Sequence, residues 1–203
     1  MMSSSFAHPG RFVALCLLAL LAMPAFAIAA HTPKEFRDLE LRVSEHPHKA
    51  IEDARKWLAE AQKTKNRALE LKSLRLQVLA LEQIEDEAGL TEAAARGLAL
   101  AVEMEHHEAE VEFLAARAGA RVFAGKYAEA SKEYDEALRL ADGYGFDGHV
   151  ARISIARGRV DLALGRIPEA LEWTMKGHAR FERLADRFGM SNEIGRASCR
   201  ERV

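Results

Sequence analysis

The sequence predicts an all-α fold, a stack of about four antiparallel helix hairpins, and three observations carry that expectation. A short alanine-anchored phrase returns four times, as HPHKAIEDARKWL from His46, GLTEAAARGLALA from Gly89, GKYAEASKEYDEALRLA from Gly125 and GRIPEALEWTMKGHA from Gly165. Its alanines, Ala50, Ala93, Ala130 and Ala170, stand 43, 37 and 40 residues apart, the spacing of helix pairs stacked in a row. Strand signals are missing: period-two alternation is not sustained, and no run is rich in Val, Ile and Thr. Ala, Leu, Glu and Arg dominate instead, and these residues lose little freedom on entering a helix.

In chain order, residues 1–30 read as an export signal. Arg11 precedes an uncharged run from Phe12 to Ala30, Pro24 breaks it, and Ala25-Phe26-Ala27 is a small-x-small cleavage pattern. Cleavage after Ala27, Ala29 or Ala30 fits; the alternative is an uncleaved anchor, because the run just reaches bilayer-spanning length. Cys16 lacks the small-residue context of a lipoprotein cysteine. Four hairpins follow, with helices over 33–44 and 47–63, 67–86 and 90–104, 107–124 and 127–142, and 147–164 and 167–187. Leu71, Leu74, Val78 and Leu81 show the three-to-four spacing well. Pro47 and Pro168 fall at helix starts, where a missing N–H costs nothing. Gly89, Gly125, Gly165 and the cluster Gly143, Gly145 and Gly148 are expected to mark turns.

The last stretch, EIGRASCRERV over 193–203, drops the helical pattern and resembles the translation of a common sequencing adapter, codon for codon. It is expected to be artefactual, so that the repeat domain over 31–192 is cut short and its natural chain runs further. The chain has 29 Lys and Arg against 31 Asp and Glu. Removing both ends takes away more arginine than glutamate, so the remainder is more acidic still. Nucleic acid, which needs a clearly basic face, is not expected as a partner. Cys16 and Cys199 are the 2 cysteines, which leaves 31–192 without disulfides or thiolate metal sites.

The segment Ala118–Leu140 resembles a tetratricopeptide repeat. Ala118, Gly125, Tyr127, Ala130, Tyr134, Ala137 and Leu138 match that family's small-aromatic-small pattern, and Gly158, Gly165, Ile167, Ala170 and Gly177 continue it. Small residues such as Gly158 and Ala170 let two backbones cross closely, while Tyr127 and Tyr134 fill the gap to the next hairpin. The first two units depart from the pattern: Leu81 and Asp38 stand where small residues belong, and a period near 40 exceeds the usual 34 or so. Such long-period variants occur in large bacterial signalling and regulatory proteins.

The resemblance implies a right-handed superhelix, or solenoid, whose first helices line a concave groove. It places Arg75, Val78, Glu82 and Glu85 there from the second unit. Glu112, Ala115, Gly119 and Val122 come from the third, and Arg152, Ile155, Arg159 and Leu162 from the fourth. Apolar patches mixed with both charges suit an extended peptide or a partner's helix.

Other chemistry finds little support. Gly143 to Gly148 formally matches GxGxxG, but a helix rather than a strand precedes it, so a turn is expected and not a nucleotide site. His106 and His107, with Glu103, Glu108 and Glu110 nearby, sit about 100° apart on a helix and cannot both face one metal; they and His46 and His48 are expected to be solvated loop residues. No GxSxG is present, and Trp57 and Trp173 read as packing residues. No cofactor and no catalysis are expected within these residues.

The functional expectation is a periplasmic binding region that takes a protein or peptide. Exported repeats of this kind resemble those ahead of a transmembrane helix and a GGDEF diguanylate cyclase or a histidine kinase, which makes a sensory or docking role the first reading. A free-standing periplasmic scaffold for envelope or secretion partners is the alternative. Membrane contact is expected only through the signal or a downstream span. Leu171, Phe181, Leu184 and Phe188 are expected to be partly uncovered and to promote self-association.

Overall fold

A computed structural model describes residues 42–187. The export signal, the expected helix over 33–44 as far as residue 41 with Asp38, Phe188 and the tail 193–203 lie outside the described residues; 42–44, expected to end that helix, form a turn. Those described form seven helices and no strand: α1 (Pro47–Thr64), α2 (Arg67–Gln83), α3 (Glu87–Glu103), α4 (His107–Phe123), α5 (Tyr127–Gly143), α6 (Asp147–Ala163) and α7 (Ile167–Arg187). The all-α expectation holds. None of these helices is long and apolar enough to cross a membrane.

One connector is used six times. Lys65, Glu85, Glu105, Gly125, Gly145 and Gly165, one every 20 residues, adopt positive φ between 53° and 74°. At each, the left-handed residue donates its N–H to the carbonyl three back, and the next donates to the carbonyl five back: Gly145 to Asp142 and Phe146 to Ala141, for instance, at 3.1 and 2.8 Å. This is the Schellman end, which satisfies the last carbonyls and reverses the chain in three residues. The residue after the reversal then opens the next helix. Asn66, Asp86 and His106 do so with side chains that accept from Leu69, Gly89 and Ala109 N–H.

Three readings of the sequence are corrected by this geometry. Gly89 is not a turn residue; it lies in the first turn of α3, and Glu85 holds the left-handed position. The alanine anchors shift with it, since helices begin at Pro47, Glu87, Tyr127 and Ile167, 40 residues apart. The positions equivalent to Ala50 are Leu90, Ala130 and Ala170, all buried, and Ala93 sits one turn further on. The small-residue slot held by Ala118 and Gly158 is likewise filled in α2 by Val78 rather than Leu81.

Each helix packs against the next in sequence, and α2 also meets α4, as α4 meets α6. Helices α2, α4 and α6 bury side chains on most of their faces, with Leu71, Val111 and Ala151 at one level and Ala80, Ala120 and Val160 at another. In contrast, α1, α5 and α7 carry one apolar stripe each. The core forms two clusters that share α4. Phe113, Ala116 and Ala120 face α1 to α3, whereas Val111, Leu114 and Ala118 face α5 and α6. Gly97 of α3 admits the Phe113 ring, which a Cβ there would meet at 2.2 Å. Between α6 and α7 the backbones themselves touch. A Cβ on Gly158 would lie 2.9 Å from the Ala170 carbonyl oxygen, and one on Gly177 2.8 Å from that of Ala151.

Candidate functional site

The even-numbered helices meet around a cavity of about 740 Å³, within the range of ligand pockets. Arg75, Val78, Glu82, Glu112, Val122, Arg152, Ile155 and Arg159, named from the sequence as groove residues, all line it, with Glu85, Ala115 and Gly119. Leu162 does not; it is 60% exposed outside the cavity. Leu79, Phe113, Tyr134 and Phe181 line it without having been singled out for that role. The 40-residue register would have found Leu79, because it is the α2 equivalent of Gly119 and Arg159. Phe181 reaches the cavity from α7, which only the packing of that helix decides.

Charge is distributed by helix. α2 contributes Glu82, and the connector after it Glu85, while α6 contributes Arg152 and Arg159. Arg75 crosses from α2 to Glu112 on α4, with Nη2 to Oε1 at 2.7 Å and Nε to Oε2 at 2.5 Å. The floor between them is low. Gly119 has no side chain, and the space where its Cβ would stand lies 3.8 Å from both the Glu82 carboxylate oxygen and the Tyr134 hydroxyl. Neither of those two groups has a hydrogen-bond partner among the described residues.

Burial sets the electrostatics here. It pushes the Glu82 carboxyl above its ordinary value, against the pull of Arg152; Glu112 adds to the rise and Arg159 opposes it. Burial also drives the Tyr134 phenol up to about 12, with the Glu82 charge adding to the effect. Both groups therefore favour their neutral forms more than they would in water.

At one end of the cavity a chain of polar contacts continues from Arg75 and Glu112. His149 Nε2 stands 3.2 Å from Glu108 Oε1 and 3.7 Å from Glu112 Oε1, and the three ligand atoms lie within 4.8 Å of one another. A histidine and two carboxylates are a metal-ligand set by type. Their other contacts favour a different role. Arg152 Nη2 approaches His149 Nδ1 at 3.0 Å, and a guanidinium can only donate, so the ring proton belongs on Nε2, facing Glu108. A cation would have to displace that proton against two neighbouring guanidinium charges, those of Arg75 and Arg152.

His106 and His107 are more structural than solvated loop residues would be. His106 caps α4 through Nδ1, and His107 stacks on Tyr144 with ring centroids 4.2 Å apart. His46 precedes α1 and contacts Arg42 at 3.3 Å, and His48 is exposed within the first turn of that helix rather than in a loop. Within Gly143–Gly148 only Gly145 takes the left-handed turn; Gly143 ends α5 and Gly148 lies in the first turn of α6, so those two do not mark turns. Trp57 packs against the first core cluster and Trp173 against the second, where Lys176 Nζ lies 4.6 Å over its ring. No family model matches the chain, and no curated protein is significantly similar to it.

Proposed function

We propose that this protein is a binding scaffold whose even-numbered helices line the concave side of a right-handed, tetratricopeptide-like superhelix and receive a peptide segment or helix of a partner. The observation that carries this reading is the cavity of about 740 Å³ into which eight groove residues, implied by the tetratricopeptide resemblance, converge from three helices. Its apolar walls and small floor accept side chains, and its charges set their register. Export by residues 1–30 places the groove outside the cytoplasm. There it serves as the sensory or docking region of a membrane signalling protein of cyclase or kinase type, or, in the alternative reading, as a free scaffold for envelope partners.

The binding reading is tested with a displayed peptide library selected on the full chain. Gly119→Trp fills the cavity from its floor, and the contacts around Gly119, none closer than 3.8 Å, leave space for the added side chain to enter. Selected peptides are expected to lose binding to this variant by at least tenfold while its helical circular dichroism stays unchanged. Peptides that bind the variant as tightly as the wild type sink the groove reading. Export is tested separately by fusing alkaline phosphatase after Arg187. Activity that does not depend on residues 1–30 removes the extracytoplasmic placement.

A further inference from the structure

The cavity is dipolar rather than acidic or basic, and this restricts what it can hold. Three carboxylates (Glu82, Glu85 and Glu112) and three guanidiniums (Arg75, Arg152 and Arg159) line it, so its formal charge cancels. Arg75 and Glu112 answer each other. Glu82 does not have such a partner: Arg152 and Arg159 act on it through space, but no cation lies within ion-pair distance of it among the described residues. Tyr134 is 7% exposed, lines the same cavity, and has no hydrogen-bond partner among the described residues. Neither group's oxygen is sealed off from solvent, and Glu82 is half-buried, so a ligand in the cavity can reach both groups. On α6, Arg159 is exposed and makes no ion pair among the described residues.

We propose that the groove binds a short peptide with free termini, its ammonium held by Glu82 and the Tyr134 hydroxyl above Gly119 and its carboxylate by the guanidiniums of α6. This rests on the groove reading above and names the ligand class. A simple cation meets Arg152 and Arg159, and a simple anion meets Glu82. A zwitterion presents each wall with the opposite charge, and its side chains fall on Val78, Leu79 and Ile155. A single amino acid leaves most of a cavity of about 740 Å³ filled with water, whereas two or three residues occupy it. The interior of a long chain carries no terminal ammonium and leaves Glu82 unanswered.

The test is isothermal titration calorimetry of the full chain with a panel of Ala-X-Ala tripeptides, each as the free, N-acetylated and C-amidated form. The best free tripeptide is expected to bind, and N-acetylation or Glu82→Gln to weaken it at least tenfold. Tyr134→Phe, which keeps the ring and removes the hydroxyl, is expected to weaken it several-fold. Circular dichroism of each variant separates lost binding from lost fold. Equal binding of acetylated and free tripeptides overturns the proposal, as does failure of every tripeptide to bind. In the latter case, library peptides that bind the wild type and not Gly119→Trp leave the groove reading standing and this ligand class excluded. If those also fail, both fall together.

Discussion

Glu82 shows how a single residue reports on its surroundings. Its folded-state pKa is raised by burial, so the fold gains from the protonated form. That gain is complete below the unfolded pKa, near the ordinary value of 4.5, and is lost as pH rises through the folded value. Wherever pH exceeds that folded value, the charged carboxylate weakens the fold. Glu82→Gln is expected to raise Tm at pH 7, and the difference from wild type to close as pH falls below 4.5; a constant difference across that range would place the carboxyl in solvent. The left-handed positions give a second residue-scale prediction. Gly125, Gly145 and Gly165 have nothing within 4 Å of a built Cβ, so an alanine there meets only backbone strain. Each Gly→Ala change is expected to cost about 1 kcal/mol in denaturant unfolding. The opposite change at Glu85, already left-handed at φ 55°, is expected to cost nothing or to stabilise. A loss on Glu85→Gly equal to that at Gly125 would refute the strain argument.

The element scale is governed by close approach. Gly97 stands in the middle of α3, where alanine is the better helix former by about 1 kcal/mol. Its Cβ, however, would meet three atoms of the Phe113 ring between 2.2 and 2.5 Å, and Phe113 is fully buried. Gly97→Ala is expected to destabilise the chain by about 1–3 kcal/mol, the usual cost of overpacking. Pairing it with Phe113→Leu recovers part of that loss. A simple gain from Gly97→Ala would mean that α3 and α4 do not meet as described. Nothing local in the sequence names the partner of this glycine. Phe113 is 16 positions away, and only the pairing of two helices across a Schellman turn sets it opposite. The reverse holds at Gly158 and Ala170, where the small-residue pattern was enough to indicate a close crossing.

For the whole molecule, the last of the described helices matters most. Ile167, Leu171 and Met175, at successive turns on α7, are 65, 59 and 62% exposed. Phe181, expected on the same uncovered face, is 40% exposed and also lines the cavity, and Leu184 is half-buried. An apolar stripe of this kind favours association of copies. Light scattering is expected to show mass rising with concentration, and Leu171→Glu with Met175→Glu to return a monomer. A wild-type monomer at high concentration would mean that the stripe stays solvated. The groove belongs to this scale too. The repeat resemblance was sufficient to name eight residues that one cavity gathers, because side chains at fixed intervals along a helix share a face.

By itself, then, the sequence determined the helices, their pairing and the face of each that turns inward. These follow from periodicity, helix propensity and small residues at crossings, which are properties of neighbours along the chain. Only the tertiary structure decided the register. Glu85, with no glycine to announce it, takes the left-handed turn and moves the anchor from Ala93 to Leu90. Only the tertiary structure, likewise, brought Tyr134 and Phe181 to the cavity, linked His149 to Glu108, and left Glu82 desolvated without an ion-pair partner among the described residues. Such contacts depend on where separate helices meet, a relation between residues distant in the chain that no local pattern encodes.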